Sequence, residues 1–224
     1  MGLYRLDKTV VRVCGNAEKF LMGLSSNTLD KPQNAFLNMH GRIVATFEQV
    51  RAGDDEYWLV VQQAYVDPLL AHLERYARLS KTLVERKPSA VYFDCLGDYP
   101  LAAGDLSIVQ RAGKLILTDR DLPAAACDEA FTLFRLEHFI PFQGVDYTDD
   151  MVLNVHEHDF VAYTKGCFLG QEPVAKVHNR SKPTWKLVVC DEDGVSDEQK
   201  TAMTSKAVDP KTHKVKGFVF IRNQ

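Results

Sequence analysis

Between Lys8 and Thr118 the chain breaks into short β-forming runs separated by turn residues, and only two stretches in that span carry apolar residues at helical spacing. Runs this short cannot bury themselves singly, so they must pair as hairpins and take helices onto a face, which makes the chain α+β. Residues 8–13 form the first run and lead through Asn16, placed as a helix N-cap, into Ala17, Phe20, Leu21 and Leu24. Strands are predicted at 35–37, 42–50 and 57–62, with His40-Gly41 and residues 52–56 as connections. Asp67-Pro68 sets a capping acid before a proline at the first helical position, and Leu69, Leu70, Leu73, Tyr76 and Ala77 share a face, so a second helix is predicted over 67–79. Strands follow at 81–85, 90–95, 106–110 and 115–118, the last two joined through Gly113, and a third helix is predicted over 123–138.

Periodicity disappears between Pro141 and Pro183, and this polar, glycine-bearing stretch holds every unusual short motif in the chain. From Thr184 onward, β-like runs at 186–190, 203–208 and 215–221 alternate with turn-rich segments, as in a small antiparallel sheet or barrel. The boundary falls near Lys182, giving a larger mixed domain over 1–182 and a small all-β domain over 183–224.

Composition excludes several classes. With 46% hydrophobic and 25% charged residues the chain can bury a sizeable core, and a net charge of -3 gives no global attraction to nucleic acid or anionic membrane. The opening MGLYRLDKTVVRVCG reads as neither a secretory signal nor a transit peptide, and no apolar run reaches membrane length. The expectation is a cytoplasmic protein, or one of the mitochondrial matrix if a presequence has been removed, with no membrane partner. Five cysteines, at 14, 95, 127, 167 and 190, form no CxxC pair, which suits a reducing compartment and points to no metal or cluster held by a sequence motif. His156, His158 and Asp159 stand in the run HEHD, but their spacing fits neither a helical zinc site nor a zinc finger, so the run reads as a polar loop.

The motif with the most chemistry is KGCFLGQE, Lys165 to Glu172. It sets the Cys167 thiol between two glycines that permit tight turns, with Lys165 before it and Lys176 after it, and neighbouring ammonium groups favour the thiolate. Gln171 and Glu172 add an amide and a carboxylate for a polar ligand. The whole run KGCFLGQEPVAK resembles the signature of the YgfZ/GcvT-like folate-binding proteins. Further segments resemble that family in chain order: AEKFLMGLSSNTL with Ser26 and Asn27 at its corner, FLNMHGRI, the helix ending LERYARLSK, RLEHFIPFQGVD with Phe139 where glycine is usual, and MTSKAV and KGFVFIRN near the end.

The resemblance implies an α+β GcvT-like folate-binding domain followed by a small C-terminal antiparallel β-barrel. It implies tetrahydrofolate or a related folate as cofactor and a role assisting iron–sulfur client proteins, including enzymes that modify tRNA. By resemblance or by chemistry, Cys167 and Lys165 are the candidate reactive residues, and Asn27, Arg135, Glu137, Gln171, Glu172 and Lys176 the candidate folate contacts. Arg135 and Glu137 stand two apart and do not share a helical face. The aminomethyltransferase of the same fold carries acids after the glycine turn, whereas here Gly41-Arg42-Ile43-Val44 leads into Ala45-Thr46, and the acidic segment after Pro141 is altered to Met151-Val152-Leu153-Asn154. The main reading is therefore a folate-binding accessory protein for assembly or repair of iron–sulfur enzymes. A folate-dependent aminomethyltransferase-like enzyme is the second reading. The third is a tRNA- or protein-binding scaffold without folate, whose RNA contact would be the local basic loop from Lys176 to Lys186, with Trp185 beside it.

Overall fold

The structure, a computed structural model, describes residues 2–156 and 159–223. In chain order its elements are β1 (Leu3–Arg5), β2 (Lys8–Cys14), α1 (Ala17–Leu24), β3 (Gln33–Leu37), β4 (Ile43–Gly53), β5 (Glu56–Gln62), α2 (Val66–Ser80), β6 (Leu83–Lys87), β7 (Ala90–Asp94), β8 (Leu106–Val109), β9 (Lys114–Thr118), α3 (Asp128–Glu137), α4 (Val152–Val155), α5 (Gln171–Arg180), β10 (Trp185–Asp191), α6 (Asp197–Ala202), β11 (Thr204–Val208) and β12 (Val215–Arg222).

Three antiparallel sheets result, with strand orders β3-β4-β5-β2-β6, β1-β7-β9-β8 and β10-β12-β11. The five-stranded sheet is buried on both faces, which follows from its near-continuous apolar strands. Alternate residues Val11, Val13, Leu59 and Val61 pack under Phe20 of α1 and Leu69 and Leu73 of α2. Val10 and Val60, on the opposite face, meet Val91 and Phe93 of the four-stranded sheet and Phe131 and Phe134 of α3.

Several boundaries depart from the sequence expectation for local reasons. Asn16 is left-handed at φ 59 and its side chain does not cap α1 but donates to the Ser80 carbonyl at the end of α2 at 3.1 Å. The cap comes from the β4–β5 turn, where the Asp55 carboxylate accepts from the N–H groups of Asn16 at 2.6 Å and Ala17 at 2.8 Å. Helix α2 starts at Val66, so Asp67 and Pro68 lie inside its first turn, and Lys81 closes it at φ 58, which moves the start of β6 to Leu83. Helix α3 begins only at Asp128, because the N–H groups of Ala125 and Ala126 both donate to the Leu3 carbonyl of β1 at 3.1 Å. Helices α4, α5 and α6 and strand β1 were not expected.

Where a C-terminal barrel was expected, the described strands form an open sheet of three, too few to close on themselves. Closure is unnecessary, because Leu187, Ala207 and Phe218 of that sheet pack into one core with Leu136, Val152, Phe168 and Val174. The C-terminal sheet is thus roofed by the stretch that the sequence left without periodicity.

Candidate functional site

The site is built on a buried corner after α1. Ser25, Ser26 and Asn27 are 0%, 0% and 4% exposed, and the segment 159–165 is stitched to them. Asn27 Nδ2 donates to the carbonyls of Gln33 at 2.8 Å and Asp159 at 2.7 Å. Ser26 Oγ donates to the Phe160 carbonyl at 2.6 Å, and the Ala162 N–H donates to the Ser26 carbonyl at 3.0 Å. Lys165 ends the seam, its Nζ donating to the carbonyls of Ser25 at 2.6 Å and Asn27 at 2.8 Å. Burial lowers the Lys165 ammonium to about 8. The group expected to sit beside the thiol is therefore committed to two carbonyls, and Asn27 to the chain's own backbone.

Two residues beyond this clasp, Cys167 is exposed. Phe168 turns inward at 7% exposure, with Lys165 Nζ 5.3 Å from its ring centroid. Gly170 then takes φ 83, and an added Cβ there would run into the Asn38 carbonyl, so this turn requires glycine. The cysteine loop is accordingly pinned at both ends. Gly170 is also the N-cap of α5, which places Gln171 and Glu172 in the first turn and buries Val174. Pro173, in that first turn, costs no helical hydrogen bond, and Glu172 near the start with His178 and Arg180 near the end complements the helix dipole. Those were the signals for the helix. Lys176 is exposed on it, as are Arg180, Lys182 and Lys186 beyond, and His178 stacks on Tyr163 at 3.7 Å.

Two adjoining cavities lie where the sheets meet. The outer one, about 310 Å³, runs between β10 and α4 and offers Arg111, Asn154 and Lys186 among apolar residues such as Leu153 and Val189. The inner one, about 40 Å³, is lined by Gln33, Glu48, Gln110, Asp159 and Phe160. Arg111, Phe139 and His156 form the wall common to both. Glu48 holds Lys8 Nζ with both oxygens at 2.8 Å, Gln33 donates to Gln110 at 3.2 Å, and Arg111 pairs with Asp159. Phe139 adopts φ 50, a conformation easier for glycine, and its ring packs edge-on against Phe218 at 5.6 Å.

Beneath this wall runs a buried polar chain. His156 Nε2 lies 3.1 Å from the Tyr147 hydroxyl, which lies 2.7 Å from Thr46 Oγ1, and Gln143 Oε1 accepts from the Thr46 N–H at 2.8 Å. Burial pushes His156 down to about 3 and the Tyr147 phenol well up, so both are neutral. Thr46 is thus a member of an uncharged structural network. His156 stacks on Phe160 at 3.8 Å and faces inward; His158 lies outside the described residues. Among the described residues no group of three or more His, Cys, Asp or Glu could hold a metal ion.

Arg135 lines neither cavity, although it donates at 3.0 Å to the carbonyl of Ile140, a residue of the inner one. It is 5% exposed, pairs with Asp146 and stacks 3.9 Å over Phe142. Asp146 in turn accepts from Thr204 Oγ1 at 2.9 Å and Ser205 Oγ at 2.5 Å, so the pair ties α3 to β11. Glu137 is exposed on α3. None of Asn27, Arg135, Glu137, Gln171, Glu172 and Lys176 is among the residues lining the two cavities. Of the residues on the shared wall, His156 stood out in the sequence only as part of the HEHD run and Phe139 only as the glycine replacement, while Arg111 carried no motif.

The architecture is that of a GcvT-like α+β protein. The chain superposes with a TM-score of 0.71 on the glycine cleavage system aminomethyltransferase T from Bartonella henselae, at 14% identity over 99% of this chain and 78% of that one, a likeness of fold. In sequence it is 28% identical over 223 residues to the human mitochondrial iron-sulfur cluster assembly factor IBA57, and 26% identical over 222 residues to the mouse protein. Each match takes in 79% of this chain and 62% of the relative, so the chain spans less than two thirds of the length of these proteins. No family model matches it. The sequence relatives and the shared fold agree with the resemblance read from the sequence motifs.

Proposed function

We propose that the chain is a folate-binding accessory factor for the assembly or repair of iron–sulfur proteins, with Cys167 as its reactive group. The observation that carries the reading is the placement of Cys167: exposed, yet on a loop pinned by the Lys165 clasp before it and by the glycine-only turn at Gly170 after it. A thiol presented outward in a fixed position, with no ligand cluster around it among the described residues, suits an encounter with a partner's cluster better than chemistry in a closed pocket. The name shared by the sequence relatives supports the same role.

Basic groups in the outer cavity support a folate as its ligand. Arg111 and Lys186 in the outer cavity suit the glutamyl carboxylates, while the inner cavity, about 40 Å³ and with Glu48 already on Lys8 and Gln33 on Gln110, has room for only a water-sized group. A volume of about 310 Å³ in the outer cavity is within the range for small-molecule sites. Tetrahydrofolate, when bound, supplies a carrier of one-carbon units. The chain's own groups bind and orient it; with Ala45 and Thr46 uncharged, no carboxylate stands there to handle a proton at its reacting nitrogen.

The test is Cys167→Ala in cells that lack their own factor, scored by the activity of an iron–sulfur enzyme. Loss of rescue with an unchanged melting curve supports the role of the thiol. Full rescue by the variant contradicts it.

A further inference from the structure

We infer that Arg111 anchors a carboxylate of the cavity's ligand and that Asp159 is the stand-in this carboxylate displaces, so that filling the cavity is felt at Cys167; the inference rests on the folate reading above. Arg111 stands on the wall common to both cavities, and its carboxylate partner is Asp159, held through the single oxygen Oδ2. The two side chains are 49% and 34% exposed, so their attraction is screened and contributes little. A guanidinium binds a carboxylate best in a two-bond fork, which the single-oxygen contact leaves unused. A ligand carboxylate entering the outer cavity can make that fork and win the exchange.

Release of Asp159 has consequences because its other side is the start of the seam. The Asp159 carbonyl accepts from Asn27 at 2.7 Å, the Phe160 carbonyl from Ser26 at 2.6 Å, and the seam ends at Lys165, two residues before Cys167. Asp159 is thus tied by its side chain to the cavity and by its backbone to the corner that holds the cysteine loop. Breaking the first tie loosens one end of the strip and leaves the corner bonds to carry it. The arrangement links an occupied cavity to a more accessible thiol.

The experiment uses the whole chain with the substitutions Asp159→Asn, Arg111→Met and Arg111→Lys, the last keeping the charge and losing the fork. Calorimetry with tetrahydrofolate, and with tetrahydropterin as a probe lacking carboxylates, is paired with the rate of Cys167 alkylation by iodoacetamide, read at the Cys167 peptide by mass spectrometry. Asp159→Asn should tighten tetrahydrofolate by up to about fivefold, and Arg111→Met should weaken it about tenfold or more, with Arg111→Lys between, while tetrahydropterin is indifferent to all three. Tetrahydrofolate on the native chain, and Asp159→Asn without ligand, should each raise the alkylation rate. Tetrahydrofolate binding that ignores both the Asp159 and the Arg111 substitutions overturns the anchor. An unchanged alkylation rate in Asp159→Asn overturns the coupling. If no tetrahydrofolate binds but Asp159→Asn still speeds alkylation, the folate reading fails and the link from Asp159 to Cys167 stands.

Discussion

Replacing Arg135 with methionine should be among the most costly single changes in this chain. The Arg135 and Asp146 side chains are 6% and 0% exposed, so the substitution leaves a carboxylate buried without its counter-charge. Breaking such a pair from one side costs about 3–5 kcal/mol. Two features set the expectation near the lower end, about 3 kcal/mol. Asp146 keeps donors from the Phe142 N–H at 2.8 Å, Thr204 at 2.9 Å and Ser205 at 2.5 Å, and methionine preserves apolar contact with Phe142. Urea unfolding followed by circular dichroism reads the loss: with a slope of about 3 kcal/mol/M, the midpoint should fall by about 1 M. Adding Asp146→Asn to the same chain removes the stranded charge and keeps an acceptor for the Phe142 N–H, so the double variant should be more stable than Arg135→Met alone. A loss below about 1 kcal/mol in Arg135→Met, or a double variant weaker than the single one, would refute the argument.

Lys165, lowered to about 8 from 10.5, makes stability rise between those pH values, because the unfolded chain still holds a proton there that the folded one has shed. Lys165→Met should flatten the rise, measured as the difference between urea midpoints of native and variant chains at pH 7 and pH 9.5. Gly170→Ala forces a side chain into φ 83 against the Asn38 carbonyl and should cost about 1–3 kcal/mol, seen as a lower Tm; an unchanged Tm would mean the turn is not as tight as described. Tyr147→Phe takes a partner from His156 and from Thr46 in a buried network and should cost about 1–3 kcal/mol by the same urea assay, with a neutral result arguing against the hydrogen-bonded chain.

Much of the fold was legible because the signals are local. Strands β2, β5, β7 and β9 and helices α1 and α2 announced themselves by period, each within a couple of residues of its observed limits. Helix α5 escaped because only Val174 is buried along it, so it carries no apolar period. Helix α6 escaped although Ser196 and Gln199 form a capping box that the sequence spells out. At the site, the cysteine motif was legible as a run of residues, but its environment was not. Lys165 adjoins Cys167 in sequence and spends its ammonium on residues 140 and 138 positions away.

By itself, the sequence determined the class of fold, the family resemblance and the residue on which to wager the chemistry, because period, turn chemistry and a contiguous motif are all properties of neighbours along the chain. Only the tertiary structure decided that Arg135 is a buried strut, that Thr46 belongs to a neutral network, and that Arg111, Phe139 and His156 meet in one cavity wall. Those three residues come from a hairpin turn, the end of α3 and the segment after α4. Which side chains converge across such distances is set by how three sheets pack, and no local pattern records it.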